Sequence, residues 1–220
     1  MPLGPETVSN KFGERLTPAD AARYDAERKR EAADNAVRRR ASAIGVDDAD
    51  WERVRTELEG RFGQPPSSGD VFWSLANQAA MDAASRGDWH HAKMVYFQQA
   101  LHLRDEGRNF HHVRQESLRC GVREALSSAA QLGWSDPVLR VYGAPDDERD
   151  VCQAADGRRF SPNELLVDDP PIPHFYDDDR WCPCSVGLDM DSFREDPPAA
   201  AAPESPARRS GWLPRLFGSR

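Results

Sequence analysis

Residues 87–107 read GDWHHAKMVYFQQALHLRDEG. Between the two glycines, Trp89, Ala92, Val95, Tyr96, Ala100 and Leu103 recur every three or four positions, the spacing that lines one face of a helix. Asp88 stands where a carboxylate caps a first turn, and Gly107 follows the last periodic residue, where helices commonly stop. Upstream, Phe72, Leu75, Ala76, Ala79 and Ala83 trace another amphipathic helix ending at Arg86-Gly87, after a loop at residues 64–69 (QPPSSG). Downstream, Asn109 offers a cap for Phe110, Val113, Ser117, Cys120, Gly121, Ala125 and Leu132, which keep helical spacing up to Gly133. Three helices joined by short glycine-centred turns must lie antiparallel beside one another. The middle of the chain is therefore a helical bundle.

Two more helices precede it. Thr17-Pro-Ala-Asp20 places a capping hydroxyl, a proline at the first helical position and a carboxylate at the positive end. The helix it opens runs to Ala43, with an inner face of Ala, Tyr24 and Val37, and with Asp25/Lys29 and Asp34/Arg38 as surface pairs. Arg38-Arg-Arg40 at its end complements the negative pole of the helix. Asp47 or Asp48 then caps a run with Trp51, Val54, Leu58 and Phe62 on one side, stopped by Gly63.

After Asp136 the period changes. Residues 138–142 (VLRVY) have the β-branched and aromatic content of a short strand. Ser161-Pro-Asn-Glu164 is a capping box for a turn or two of helix through Val167, Pro170-Pro-Ile-Pro173 must be extended, and residues 184–188 (CSVGL) fit a returning strand. The fold class expected is mainly α: an antiparallel helical bundle followed by a small α+β, cysteine-bearing module, with disordered termini. The expected divisions are residues 1–16 (disordered), 17–63 (two helices), 64–134 (three-helix core), 135–191 (acidic Cys/His module) and 192–220 (Pro/Ala linker and basic-aromatic tail).

Composition narrows the function. Leu, Ile, Val and Phe supply only 39 of 220 residues, thin for one large core. The net charge of −8 lacks the clustered Lys/Arg surface that phosphate neutralisation requires, so no nucleic-acid partner is expected. Residues 145–191 alone carry 13 Asp/Glu against 4 Arg. No stretch approaches the roughly 18 apolar residues of a transmembrane segment, and residues 1–10 lack a basic segment followed by an apolar run, which points to a cytoplasmic protein. There is no Gly-x-Ser-x-Gly elbow, phosphate loop, Gly-x-Gly-x-x-Gly turn or His-Glu-x-x-His motif, and the chain is not expected to be an enzyme.

One constellation carries chemistry: Cys152, His174, Cys182 and Cys184, three thiols and an imidazole in a segment with little aliphatic core of its own. Such a segment needs a staple. Structural zinc would take Cys182 and Cys184 from a Cys-Pro-Cys knuckle, Cys152, and either His174 or Asp177, although the knuckle is one residue shorter than the common Cys-x2-Cys. A disulfide from Cys152 to Cys182 or Cys184 is the second reading, disfavoured in a reducing cytoplasm. Free, partly buried thiols are the third. A thiol redox role for Cys182 and Cys184 follows from the same pair.

Residues 77–103 resemble a single tetratricopeptide-type hairpin, with Gly87-Asp88 at the turn, then Ala92 and Tyr96; the small residue falls at Ala100 rather than Gln99, and no second copy follows at the repeat's period of about 34 residues. Residues 138–188 are similar to a cysteine-rich carboxy-terminal module found after helical hairpins in certain bacterial proteins, and more distantly to the tail of phage head-morphogenesis (minor head) proteins. The matching residues are Cys152, Ala155-Asp156-Gly157, Phe160, Pro171-Ile-Pro173 and Trp181-Cys182-Pro-Cys184. Upstream, Gly69-Asp-Val-Phe-Trp73, Gly87-Asp-Trp89 and Asp105-Glu-Gly-Arg108 match the helical part. Arg149 and Asp177 stand where the pattern has cysteines, so the resemblance implies a family site that has lost two thiols here.

The remaining candidates are weaker. His90-His91 and His111-His112 open antiparallel helices, so they lie about 24 Å apart at 1.5 Å per residue, though His102 could approach the second pair; all are read as ordinary polar residues. Asp177-Asp-Asp179 reads as a solvated charge run. Trp212, Leu213, Leu216 and Phe217, among Arg208, Arg209, Arg215 and Arg220, follow the Pro/Ala stretch 195–207 and have the make-up of a docking peptide for a protein partner's groove or an anionic membrane surface. The function expected is a non-enzymatic interaction or adaptor protein with a zinc knuckle; the alternatives are a phage-derived head-morphogenesis-like structural protein and a thiol redox protein.

Overall fold

The computed structural model describes residues 17–143, 150–174 and 181–195. Expectations for residues 1–16, Asp177 to Asp179, and the tail with Trp212, Leu213, Leu216 and Phe217 lie outside the described residues.

Five helices come first: α1 (Pro18–Ala43), α2 (Asp48–Phe62), α3 (Ser68–Ser85), α4 (Trp89–Asp105) and α5 (His111–Gln131). Their ends follow local chemistry. Thr17 accepts from the Asp20 amide with Pro18 in the first turn, Asp47 caps α2, and Asp88 accepts from the His91 amide at α4. Two starts differ in detail from the expectation. Ser67 and Asp70 form a reciprocal capping box that starts α3 inside the expected loop. Asn109 accepts from the His111 amide at 2.9 Å, but the capping position itself is Phe110. Gly87 and Gly107 close their helices at φ of 69° and 65°, a left-handed conformation that costs glycine little.

α4 packs between α3 and α5, while α1 and α2 cover α3. Val37, Ala41, Ile44, Trp51, Val54, Val71, Phe72, Leu75 and Val95 form the buried core of that first group. Only the last turns of α1 join it; residues 18–35 are mainly exposed, with Tyr24 only partly covered, because most of their inner positions are small or charged. Arg38 does not act as a surface partner within α1 but reaches across to α2, 3.2 Å from Glu52, with its guanidinium 4.9 Å from the Trp51 ring centre.

The remainder is α+β. A three-stranded antiparallel sheet has β1 (Leu139–Tyr142) at its centre, flanked by β2 (Arg159–Phe160) and β3 (Ser185–Leu188). Leu139 pairs with both Phe160 and Leu188, and Tyr142 with Ser185. Short helices α6 (Asp150–Ala155), α7 (Pro162–Leu165) and α8 (Met190–Glu195) complete it, α7 with its Ser161/Glu164 capping box. α6 and β2 are too short to leave a period in the sequence. The module buries more than its own composition offers, because α5 lends Leu118, Val122 and Ala125 to a core with Leu139, Val141, Phe160, Leu165 and Ile172. Phe193 of α8 packs on Trp134 beyond the end of α5, ring centres 5.2 Å apart.

Candidate metal centre

Cys152, His174, Cys182 and Cys184 converge within that core. Cys152 is carried by α6, His174 follows the extended proline segment, and Cys182 and Cys184 lead into β3. Sequence separation of 32 positions is thus folded into one point, where the four donor atoms lie within 4.8 Å of one another. His174 completes the quartet through Nδ1, whereas Asp177 lies outside the described residues.

The edges of the quartet have a definite size. His174 Nδ1 is 3.4, 3.6 and 3.8 Å from the sulfurs of Cys152, Cys182 and Cys184, and the Cys152 and Cys182 sulfurs are 3.8 Å apart. A tetrahedral zinc with bonds of about 2.3 Å to sulfur and 2.05 Å to nitrogen sets edges of about 3.6 Å for S···N and 3.8 Å for S···S. The donors therefore frame a cavity of the right size and character for a soft divalent metal. No disulfide joins any two of the four cysteines, so the disulfide reading does not hold.

Burial and charge fit the same chemistry. Cys152 and Cys184 are fully buried and Cys182 is nearly so, with His174 partly covered. The Cys182 thiol is lowered to about 5, first by the hydrogen bond from the Cys184 thiol, against burial, and further by backbone N–H groups and His174. The Cys184 thiol is pushed up, as the donor of that bond and by burial. Cys182 is thus readier than Cys184 to ligate as a thiolate.

A residue not anticipated from the sequence stands behind the knuckle. Arg114 of α5 is 6% exposed and donates from Nη2 to the Cys184 carbonyl oxygen at 2.7 Å. Its guanidinium lies 5.1 Å from the Trp181 ring centre and 5.9 Å from that of Phe97. Burial lowers its pKa, while the Cys182 and Cys184 thiolates act in the opposite direction. The available signal was positional: Arg114 sits midway between Phe110 and Leu118 in the apolar stripe of α5, where a solvated arginine has no place.

The other histidines stay apart from this centre. His90 Nδ1 is 2.7 Å from Glu124 Oε1, and His111 packs edge-on against Phe110. His102 corrects its reading as a surface imidazole: it is 3% exposed, packed against Phe72 and Trp73 with ring centres 5.1 and 6.1 Å away. Gln99 is buried too, its amide donating to Asn77 Oδ1 at 2.9 Å, which explains how it occupies a position that the hairpin pattern gives to a small residue.

A hollow of about 670 Å³, away from this centre, is bounded by Leu58, Phe62, Pro65, Pro66 and Trp73. Another, of about 460 Å³, lies against the knuckle itself. No helix among the described residues is long and apolar enough to cross a membrane. No protein family model, curated protein or solved structure matches the chain.

Proposed function

We propose that the chain is a non-enzymatic interaction protein whose carboxy-terminal module is held on the helical bundle by a structural zinc ion bound to Cys152, His174, Cys182 and Cys184. The observation that carries this reading is closure. Four protein donors lie within 4.8 Å of one another in a hydrophobic core, enough to occupy all four positions of a tetrahedral zinc with none left for water or substrate, which separates structural from catalytic zinc sites. Three thiolates around a divalent ion leave one net negative charge, and the buried Arg114 cation stands next to it. The burial of Cys182 and Cys184 weighs against thiol redox chemistry, which needs a reachable sulfur. The interaction role rests on the helical hairpins as a partner surface, with Trp212, Leu213, Leu216 and Phe217 as a tether in the cytoplasm.

The test is metal analysis of tag-free protein together with near-ultraviolet circular dichroism before and after chelation. One zinc per chain and loss of aromatic ellipticity in chelator are expected, because Trp181 stands next to the Cys182 ligand. Sub-stoichiometric metal with an unchanged spectrum in chelator would reject the zinc. For the interaction role, a partner retained by the full chain and lost on removing residues 211–220 is the expected result, and equal retention by both forms rejects the tether.

A further inference from the structure

The hollow beside the knuckle has the features of a ligand site. It has a volume of about 460 Å³ and is lined by Met94 and Phe97 of α4, by Trp181 and Val186, and by α5; the Phe97 and Trp181 rings pack edge to face, centres 5.3 Å apart, and form one continuous wall. That volume falls in the range of about 300–1,000 Å³ typical of small-molecule pockets.

Gly121 keeps the floor open. Glycine in a helix interior is disfavoured relative to alanine, so its presence calls for a local reason. The backbone supplies none: φ is not positive, and an added Cβ would meet only Lys93 Cδ at 3.4 Å and Val186 Cγ2 at 3.8 Å, ordinary contacts. Gly121 is buried between Lys93 of α4 and Val186 of β3, so a methyl group just fits and any longer side chain would enter the hollow.

Arg114 supplies the polar end. A guanidinium has five N–H donors. One bonds to the Cys184 carbonyl, the rings of Trp181 and Phe97 flank the group, and the buried Nε–H has no acceptor. Lys93 also borders the hollow, paired at its far side with Glu124, which is not part of the lining. Among the described residues the lining contains two cations and no carboxylate.

We propose that this groove binds a small organic acid with an apolar body, aromatic or medium-chain aliphatic, its carboxylate received by Arg114 and its body lying over Gly121 against Met94, Val186 and the packed Phe97–Trp181 pair. The inference goes beyond the structural-zinc reading, but one wall is the knuckle, so metal content is measured on the same samples.

The experiment is isothermal titration calorimetry of the metal-loaded full chain with 2-naphthoate and octanoate, each beside its primary amide. Saturable one-to-one binding of at least one acid is expected, at least tenfold tighter than its amide. Gly121→Leu, which fills the floor, is expected to abolish binding while leaving the melting temperature and metal content in place; Arg114→Gln is expected to weaken the acid at least tenfold and the amide little. No saturable binding of either acid to stoichiometrically loaded protein, equal affinity for acid and amide, or unchanged binding in Gly121→Leu would each overturn the site. Acid binding retained in a chain that never takes up zinc would reject the structural-zinc reading and leave this one standing.

Discussion

The guanidinium of Arg114 donates a 2.7 Å hydrogen bond to the backbone oxygen of Cys184, 70 positions further along the chain. That bond joins α5, the last long helix of the bundle, to the segment that carries two of the four candidate ligands. It makes α5 a shared element, lending Leu118, Val122 and Ala125 to the module's core and its arginine to the candidate metal centre. Helical scaffold and cysteine knuckle are therefore coupled in energy as well as in space.

Replacing Arg114 with Met should reveal that coupling. The variant leaves the Cys184 carbonyl without its donor and removes the cation beside the thiolates, a loss of about 2–4 kcal/mol for a buried charged hydrogen-bonded group. Arg114→Lys should recover only part of it, because an ammonium has no planar face to lie against Trp181 and Phe97. Urea denaturation of the metal-loaded protein measures both.

Thiol accessibility separates ligand from bystander. Cys120 is buried on α5, its thiol pushed up to about 11 by burial, and it takes no part in the quartet. In metal-loaded protein no cysteine should react with a disulfide reagent at neutral pH; chelator should expose three, and denaturant the fourth. Cys120→Ala should leave zinc content unchanged. Cys152→Ser or Cys184→Ser should lower zinc affinity by more than about 100-fold, since loss of a ligand exceeds the 10–100-fold typical of outer-shell changes. A fourth fast thiol before denaturation would contradict the placement of Cys120.

These contrasts follow the line between what the sequence makes legible and what it does not. Thr17-Pro18, Asp47, Gly63 and Gly87 act within one turn of the backbone, so the helix ends they set can be read directly. Cys152, His174, Cys182 and Cys184 are visible as residue types, but zinc, a disulfide and free thiols differ only in whether Sγ and Nδ1 converge, which depends on contacts across 32 positions. Arg114 was hidden because arginine on a helix normally marks a wet face; its partners are a distant carbonyl and two rings. The module's core could not be counted from residues 135–191 because α5 supplies a share of it. α6 and β2 form because the tertiary structure gives Cys152 and Phe160 something to pack on, not because six or two residues favour those shapes.

The helical core should carry its own acid sensitivity through His102. The imidazole is 3% exposed, and burial lowers its pKa; among its charged neighbours Glu106 and Asp105 act to raise it and Arg40 and Arg108 to lower it. Phe72 and Trp73 pack against the ring and offer no charge. A folded value below the unfolded one means that neutral His102 contributes stability in full above the ordinary histidine value near 6.5. That contribution is lost as pH falls from there through the lowered folded value. Urea midpoints measured at pH 7.5 and 5.0 should therefore fall more for the native chain than for His102→Phe, whose ring can keep the contacts with Phe72 and Trp73 without taking a proton. Chelator present throughout removes the metal centre's own loss of zinc in acid from the comparison. An equal fall in both proteins would place the acid sensitivity elsewhere, with the Glu124 carboxylate between His90 and Lys93 as the next group to replace.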